Sequence, residues 1–217
     1  MAELPIEPAR PDLSLALDVA EVPAELRGHV FERTLIEKID LSRSEAMRLQ
    51  VVESRLSHVD LGDGLLRDSQ FRDVVAADGS WANMSAEGSK LRRAELQRLR
   101  MTGVNLSGSE IEDCVFLDCR VDLASFRFAK LDRVRFERCR MEEADFYDAK
   151  LTSVVFDECN LTGAVWAQAT FLRSEMRGCD ITGAVNPERL RGVRMPWRDV
   201  IGAAAELAAA VGVEIID

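Results

Sequence analysis

One feature constrains this chain more than any other. An apolar residue returns at every fifth position from Phe31 to Ile181, without an insertion or an exception. The series begins Phe31, Ile36, Leu41, Ala46 and ends Trp166, Phe171, Met176, Ile181. Hydrophobic residues make up 47% of the chain, so chance would leave roughly half of these positions polar. From Cys119 onward, the residue two places before each apolar one is Cys, Ala, Val or Ser.

A period of five is neither the helical 3.6 nor the strand period of 2. Within each five, two inward residues flank one outward residue, as in Ala144-Asp145-Phe146, which is strand alternation over three residues. The remaining two, here Tyr147 and Asp148, turn the chain. They are the central pair of a four-residue turn, and a type II turn favours Gly at the second of them. Gly88, Gly103, Gly108, Gly163, Gly178 and Gly183 all stand there. Each pentapeptide therefore reads as a short strand and a corner.

A longer period closes the figure. Cys119, Cys139, Cys159 and Cys179 fall every twenty residues, and so do Phe116, Phe136 and Phe156, so four corners make one coil and like side chains stack in core columns. Where the pattern weakens, size compensates: Trp81 follows Gly79, and Ala86 follows Met84.

Val59-Asp60-Leu61, Ala144-Asp145-Phe146, Cys159-Asn160-Leu161 and Cys179-Asp180-Ile181 share a small–Asp/Asn–Leu/Phe core. In these residues the chain resembles the pentapeptide repeat proteins, over residues 29 to 185. The resemblance implies an all-β fold, a right-handed quadrilateral parallel β-helix. That hand agrees with the general rule for parallel crossovers. The length predicts a solenoid of about eight coils, on the order of 37 Å long at ~4.8 Å per coil. Arg120, Lys130, Arg135, Arg140 and Val155 depart from Asp or Asn at the middle position, which bears on local turn geometry.

The chain divides into an N-terminal arm and edge strand (1–28), the β-helix (29–185) and a C-terminal cap helix (186–217). Pro5, Pro8 and Pro11 predict an extended start. The alternation of Leu13, Leu15, Leu17 and Val19 predicts one strand covering the open edge of the first coil. No proline lies between Pro23 and Pro187, as a parallel ladder that needs every N–H requires. Pro196 opens a helix predicted from Trp197 to Val211 and stopped by Gly212. Trp197, Val200, Ile201, Ala204, Leu207, Ala208 and Val211 form its apolar stripe, expected to lie across the last coil. Val213–Ile216 reads as a short strand beyond it. In quinolone-resistance members of the family a C-terminal helical element joins two chains, so the resemblance implies a homodimer.

The five cysteines, Cys114 included, all take inward positions. Columns ~4.8 Å apart do not converge to the ~3.8 Å between β-carbons that a disulfide prefers, and cannot supply four ligands around one zinc. They are expected to be buried free thiols. His29 and His58 have no nucleophile at a motif spacing, and no phosphate-cradling loop is present. The reading is a non-enzymatic protein without metal or cofactor.

The net charge of −10 argues against direct nucleic-acid binding. By resemblance, some family members mimic DNA and bind type II topoisomerases such as DNA gyrase. Here acidic and basic residues are interspersed on all four sides, unlike the single-sign face of a mimic. No signal-peptide pattern and no apolar run of bilayer length is visible, which predicts a cytoplasmic protein off the membrane. Leu117, Leu123, Phe128, Val155, Val165 and Leu172 fall at outward positions, and Phe128 beside Leu123 is the best candidate contact point. The sequence therefore predicts a rigid protein-binding or scaffolding module with an unidentified protein partner, and a gyrase modulator as the alternative.

Overall fold

The computed structural model describes residues 4–13 and 16–216. Among them, twelve strands form one parallel sheet. They are β1 (Asp18–Val19), β2 (Val30–Glu32), β3 (Thr34–Glu37), β4 (Gln50–Ser57), β5 (Gln70–Ala77), β6 (Lys90–Gln97), β7 (Glu110–Leu117), β8 (Lys130–Glu137), β9 (Lys150–Thr152), β10 (Val155–Asp157), β11 (Thr170–Leu172) and β12 (Glu175–Arg177). From β2 onward the offset between paired strands is twenty residues, as in Phe71↔Leu91 and Phe116↔Phe136. The other two sides of each coil pair through single bridges at the same offset, Arg120↔Arg140 and Ser125↔Asp145 among them. The result is a parallel β-solenoid of about eight turns.

The corners are more uniform in backbone than in sequence. Every second corner residue from Arg33 to Gly183 has a positive φ, and most of them are not glycine. The N–H of such a residue reaches the next coil: Leu123 donates to the Glu142 carbonyl and Phe128 to the Tyr147 carbonyl, both at 2.8 Å. Two kinds of corner alternate in pairs around the coil. After Met141 and Phe146 the turn closes on itself, Ala144 N–H to Met141 O at 3.2 Å and Ala149 N–H to Phe146 O at 3.0 Å. At the corner inside β8, where Arg133 is the αL residue, the strand runs straight through the bend. The expectation of one closed turn per pentapeptide is thereby corrected, because the inter-coil ladder alone satisfies the backbone at the open corners.

Inward side chains fill the tube. Phe116 stacks on Phe136 with centroids 4.7 Å apart, and Phe136 on Phe156 at 5.1 Å. A facing column, Phe126, Phe146 and Trp166, stacks at 4.9 and 4.6 Å and meets the first edge-on across the core. Several small inward positions carry polar groups that bond to the preceding coil, while the Ser44 Oγ has no hydrogen-bond partner among the described residues. Ser89 Oγ donates to the Leu66 carbonyl at 3.0 Å and Cys139 Sγ to the Phe116 carbonyl at 3.3 Å.

Both ends are closed by the elements expected, an N-terminal edge strand and a C-terminal helical cap, which differ from expectation in extent. The N-terminal strand is reduced to β1, whose Asp18 N–H and flanking Ala20 N–H bond to the Arg33 and Leu35 carbonyls of the first coil. Leu15 of the predicted alternation lies outside the described residues. Residues 4–13 do not cover that edge but run along the outside of the rod.

At the C-terminus a 3-10 turn, Pro187–Leu190, precedes two short helices, α1 (Trp197–Gly202) and α2 (Ala204–Ala210). The single helix expected over Trp197–Val211 is broken at Ala203, which turns in under the bend and is 6% exposed. The break divides the stripe. Leu207 packs against the core and Val200 is half-buried, while Trp197, Ile201, Ala204 and Val211 are exposed. Val213–Ile216 pairs with nothing in a ladder, so the short strand expected there is absent. Gly212, at φ +77°, ends α2 instead, with the Val213 N–H returning to the Ala208 carbonyl at 2.9 Å.

Candidate functional site

The outer surface is built from corners and from the one outward residue of each side. Leu123 and Phe128 are αL corner residues at the two ends of one side, with φ of 57° and 59°. They are 58% and 53% exposed. The closed turns hold them there: Ala124 N–H bonds to Val121 O, and Ala129 N–H to Phe126 O. One coil on, Tyr147 meets the Phe128 ring edge-to-face at 5.4 Å. Arg127 lies over the Tyr147 ring at 4.3 Å and is anchored by Asp145 at 2.7 Å. The aromatic pair and the guanidinium hold one another in place on the outer surface. The sequence singles out Leu123 and Phe128 as outward apolar residues, which are exposed here, but not the Arg127 and Tyr147 that pack beside Phe128. The twenty-residue offset that places residue 147 beside 128, less one, was the available signal.

The other outward apolar positions part company. Leu172 is 58% exposed, Leu117 and Val165 are half-buried, and Val155 is only 5% exposed. Val155 is therefore removed from the exposed set. It lies on the side of the rod along which the N-terminal arm runs.

Charges pair coil to coil. Glu110 receives Lys90 at 3.1 Å and Lys130 at 3.2 Å, while Asp78 and Asp118 take Arg98 and Arg138 at 2.7 and 2.8 Å. Those bonds hold the Glu110, Asp78 and Asp118 carboxyls below the ordinary carboxylate range. Such exposed pairs contribute little stability each, but each sets a positive charge beside an acid on the rod's surface.

The cysteines are free thiols. Burial pushes the Cys114 thiol up to about 12. Cys119, Cys139 and Cys159 are buried as well, but Cys179 is only partly so, correcting the expectation of five buried thiols. It stands in the last coil, where α1 replaces a further coil and covers less. Its pKa is still raised, by the Cys159 thiol beside it and by burial. Among the described residues, no cluster of His, Cys, Asp and Glu is placed to hold a metal ion, and no helix is long and apolar enough to cross a membrane.

Comparison with known proteins agrees with this architecture. Residues 89–166 match the model of a pentapeptide repeat region, and residues 69–108 and 149–185 match the model of pentapeptide repeats in eight copies. The chain belongs to the pentapeptide repeat family. No curated protein matches it in sequence. Among solved structures it is similar to full-length QnrB1, a plasmid-mediated fluoroquinolone resistance protein, at 13% identity and a TM-score of 0.43, over 85% of this chain and 99% of that one. It is also similar to HetL, a protein involved in heterocyst differentiation regulation from the cyanobacterium Nostoc, at 16% identity and a TM-score of 0.33, over 79% and 90% of the two chains.

Proposed function

We propose that the protein is a non-enzymatic, rigid binding module of the cytoplasm, and that its partner protein docks on the surface centred on Leu123 and Phe128. One observation carries this reading. Two large apolar side chains are held exposed in the αL conformation, which L-residues with a Cβ adopt at a cost and which Gly or Asn would adopt more cheaply. Burial against a partner supplies what the free rod lacks. The test is chemical cross-linking in native extract with the intact protein and a Leu123→Ser/Phe128→Ser variant. The variant is expected to fold normally and lose its principal cross-linked partner; an unchanged cross-link pattern would overturn the assignment.

A second reading, modulation of DNA gyrase by an acidic rod, draws on the net charge of −10. The coil-to-coil pairing of the acids supports the first reading over it. Gyrase supercoiling, measured with and without a quinolone, separates the two. Inhibition or protection at stoichiometric protein would favour the gyrase reading. The C-terminal end carries a further apolar surface, with Trp197, Ile201, Val211 and Ile216 each at least 60% exposed, and we assign self-association as a homodimer to it. Light scattering that finds a monomer at high concentration would remove that assignment alone.

A further inference from the structure

The N-terminal arm lies across the coils, and its contacts are periodic. Ala9 donates its backbone N–H to Asp113 Oδ1 at 3.1 Å, and Asp12 donates its own to Asp73 Oδ1 at 3.0 Å. Glu7 accepts from Arg135 at 2.9 Å. Three arm residues thus span the two coils between Asp73 and Asp113. A polyproline-II strand rises about 3.1 Å per residue, or ~9.3 Å over three. Two coils at ~4.8 Å advance ~9.6 Å. The two periods match, and the arm's own sequence repeats with them. Pro5, Pro8 and Pro11 are half-buried, while Ile6, Glu7, Ala9, Arg10 and Asp12 between them are exposed.

The rod is shaped to receive such a strand. Asp73 and Asp113 are 3% and 7% exposed. Each is gripped by two nitrogens of an arginine in the next coil, Arg93 at 2.6 Å and Arg133 at 2.7 and 3.0 Å, leaving acceptor capacity for an incoming N–H. The neighbouring outward positions Val75, Val115 and Val155 recur every second coil and are half-buried or buried although they point away from the core. One step further along the corner column, Ser153 stands where a third carboxylate would complete the series. Its Oγ is buried and has no hydrogen-bond partner.

We propose that this side of the rod is a peptide-binding groove for an extended polyproline-II segment with proline at every third residue. Asp73 and Asp113 read the backbone N–H groups between the prolines, and the protein's own residues 5–13 occupy the groove until a segment of the same chemistry from another protein displaces them. The groove lies on the side of the coil opposite Leu123 and Phe128, so the two proposals fail independently.

The probe is a fluorescent synthetic peptide of residues 4–13, titrated into two full-length proteins and read by anisotropy. One is unchanged; the other carries Glu7→Gln, Ala9→Pro and Asp12→Pro, which keep the arm extended but remove its two N–H donors and its ion pair. The altered protein is expected to bind the peptide at least tenfold more tightly than the unchanged one, and to lose binding to a peptide that itself carries the two added prolines. In the unchanged protein, amide exchange at Ala9 and Asp12 is expected to be at least tenfold slower than at Arg10. Ser153→Asp, two coils beyond Asp113, should slow the exchange at Ile6, three residues before Ala9. Failure of the altered protein to bind the peptide, equal binding of the proline-substituted peptide, or exchange at Ala9 and Asp12 as fast as at Arg10 would each overturn the proposal.

Discussion

At the scale of single residues, the solenoid has almost no slack inward and some to spare outward. Gly79 takes a small inward position one coil after Val59. A Cβ built there would stand 2.3 Å from the Val59 carbonyl oxygen, which also accepts the Ser80 N–H at 3.1 Å. That oxygen is backbone within the ladder and moves only by opening it. Gly79→Ala is therefore expected to destabilise by about 1–3 kcal/mol, the usual cost of overpacking. A thermal melt unchanged from the parent would show that the coil spacing can open. Leu123 is the opposite case, exposed and in αL. Replacing it with glycine removes a left-handed penalty of roughly 1–2 kcal/mol against an entropic cost of about 0.5–1 kcal/mol. Leu123→Gly should be as stable as the parent or up to ~1.5 kcal/mol more so. A clear fall in Tm would mean that Leu123 holds the rod together, and would count against its role as a contact.

At the scale of elements, the columns and the arm behave as units. The cysteine column is closed by its neighbours everywhere but at its end. A thiol reagent on the native protein should therefore modify Cys179 first, more slowly than a fully exposed cysteine because its thiolate is disfavoured, and reach the other four only on unfolding. Rapid native labelling of Cys139 would show that the column is open. The arm depends on two carboxylates. Burial raises the pKa of Asp73, but the hydrogen bond from Arg93, the Asp12 N–H and the charges of Arg93 and Arg72 outweigh it, and the net value falls below the ordinary one. Asp113 follows the same pattern with Arg133, the Ala9 N–H and Arg92. A depressed carboxyl contributes its stability above its unfolded pKa of about 3.9 and loses it as pH falls through the folded value. Exchange protection at Ala9 and Asp12 should thus be the same at pH 7 and pH 5 and disappear only below about pH 4. Release of the arm near pH 5 would contradict this.

At the scale of the whole molecule, a solenoid must end. Inner coils give their αL corner N–H groups to the next coil, but Gly178 and Gly183 have no next coil to give them to. The cap supplies carboxylates instead: Asp199 Oδ2 accepts the Gly178 N–H at 2.6 Å, and Glu206 Oε1 accepts the Gly183 N–H at 3.2 Å. The segment before α1 also continues the sheet, with Met176 N–H on the Arg194 carbonyl at 2.9 Å. Removing residues 196–217 takes away both carboxylates and exposes the apolar end around Ile181. The truncated protein is expected to aggregate as unpaired edges meet. A soluble, monomeric truncation in light scattering would show that the last coil needs no cap.

The coil and its core columns were legible in one dimension because the inward position recurs every five and every twenty residues. A strictly periodic ladder leaves each coil no other register, so Phe116 could be set over Phe136 by counting. Features that join distant stretches without periodicity were not legible. Asp12 and Asp73, or Ala9 and Asp113, are 61 and 104 residues apart, and nothing local in either segment announces the other. The shielding of Val155 and the break at Ala203 belong to the same class. Each depends on a surface that exists only once the coils are stacked, and only there does the geometry choose which backbone group meets which carboxylate.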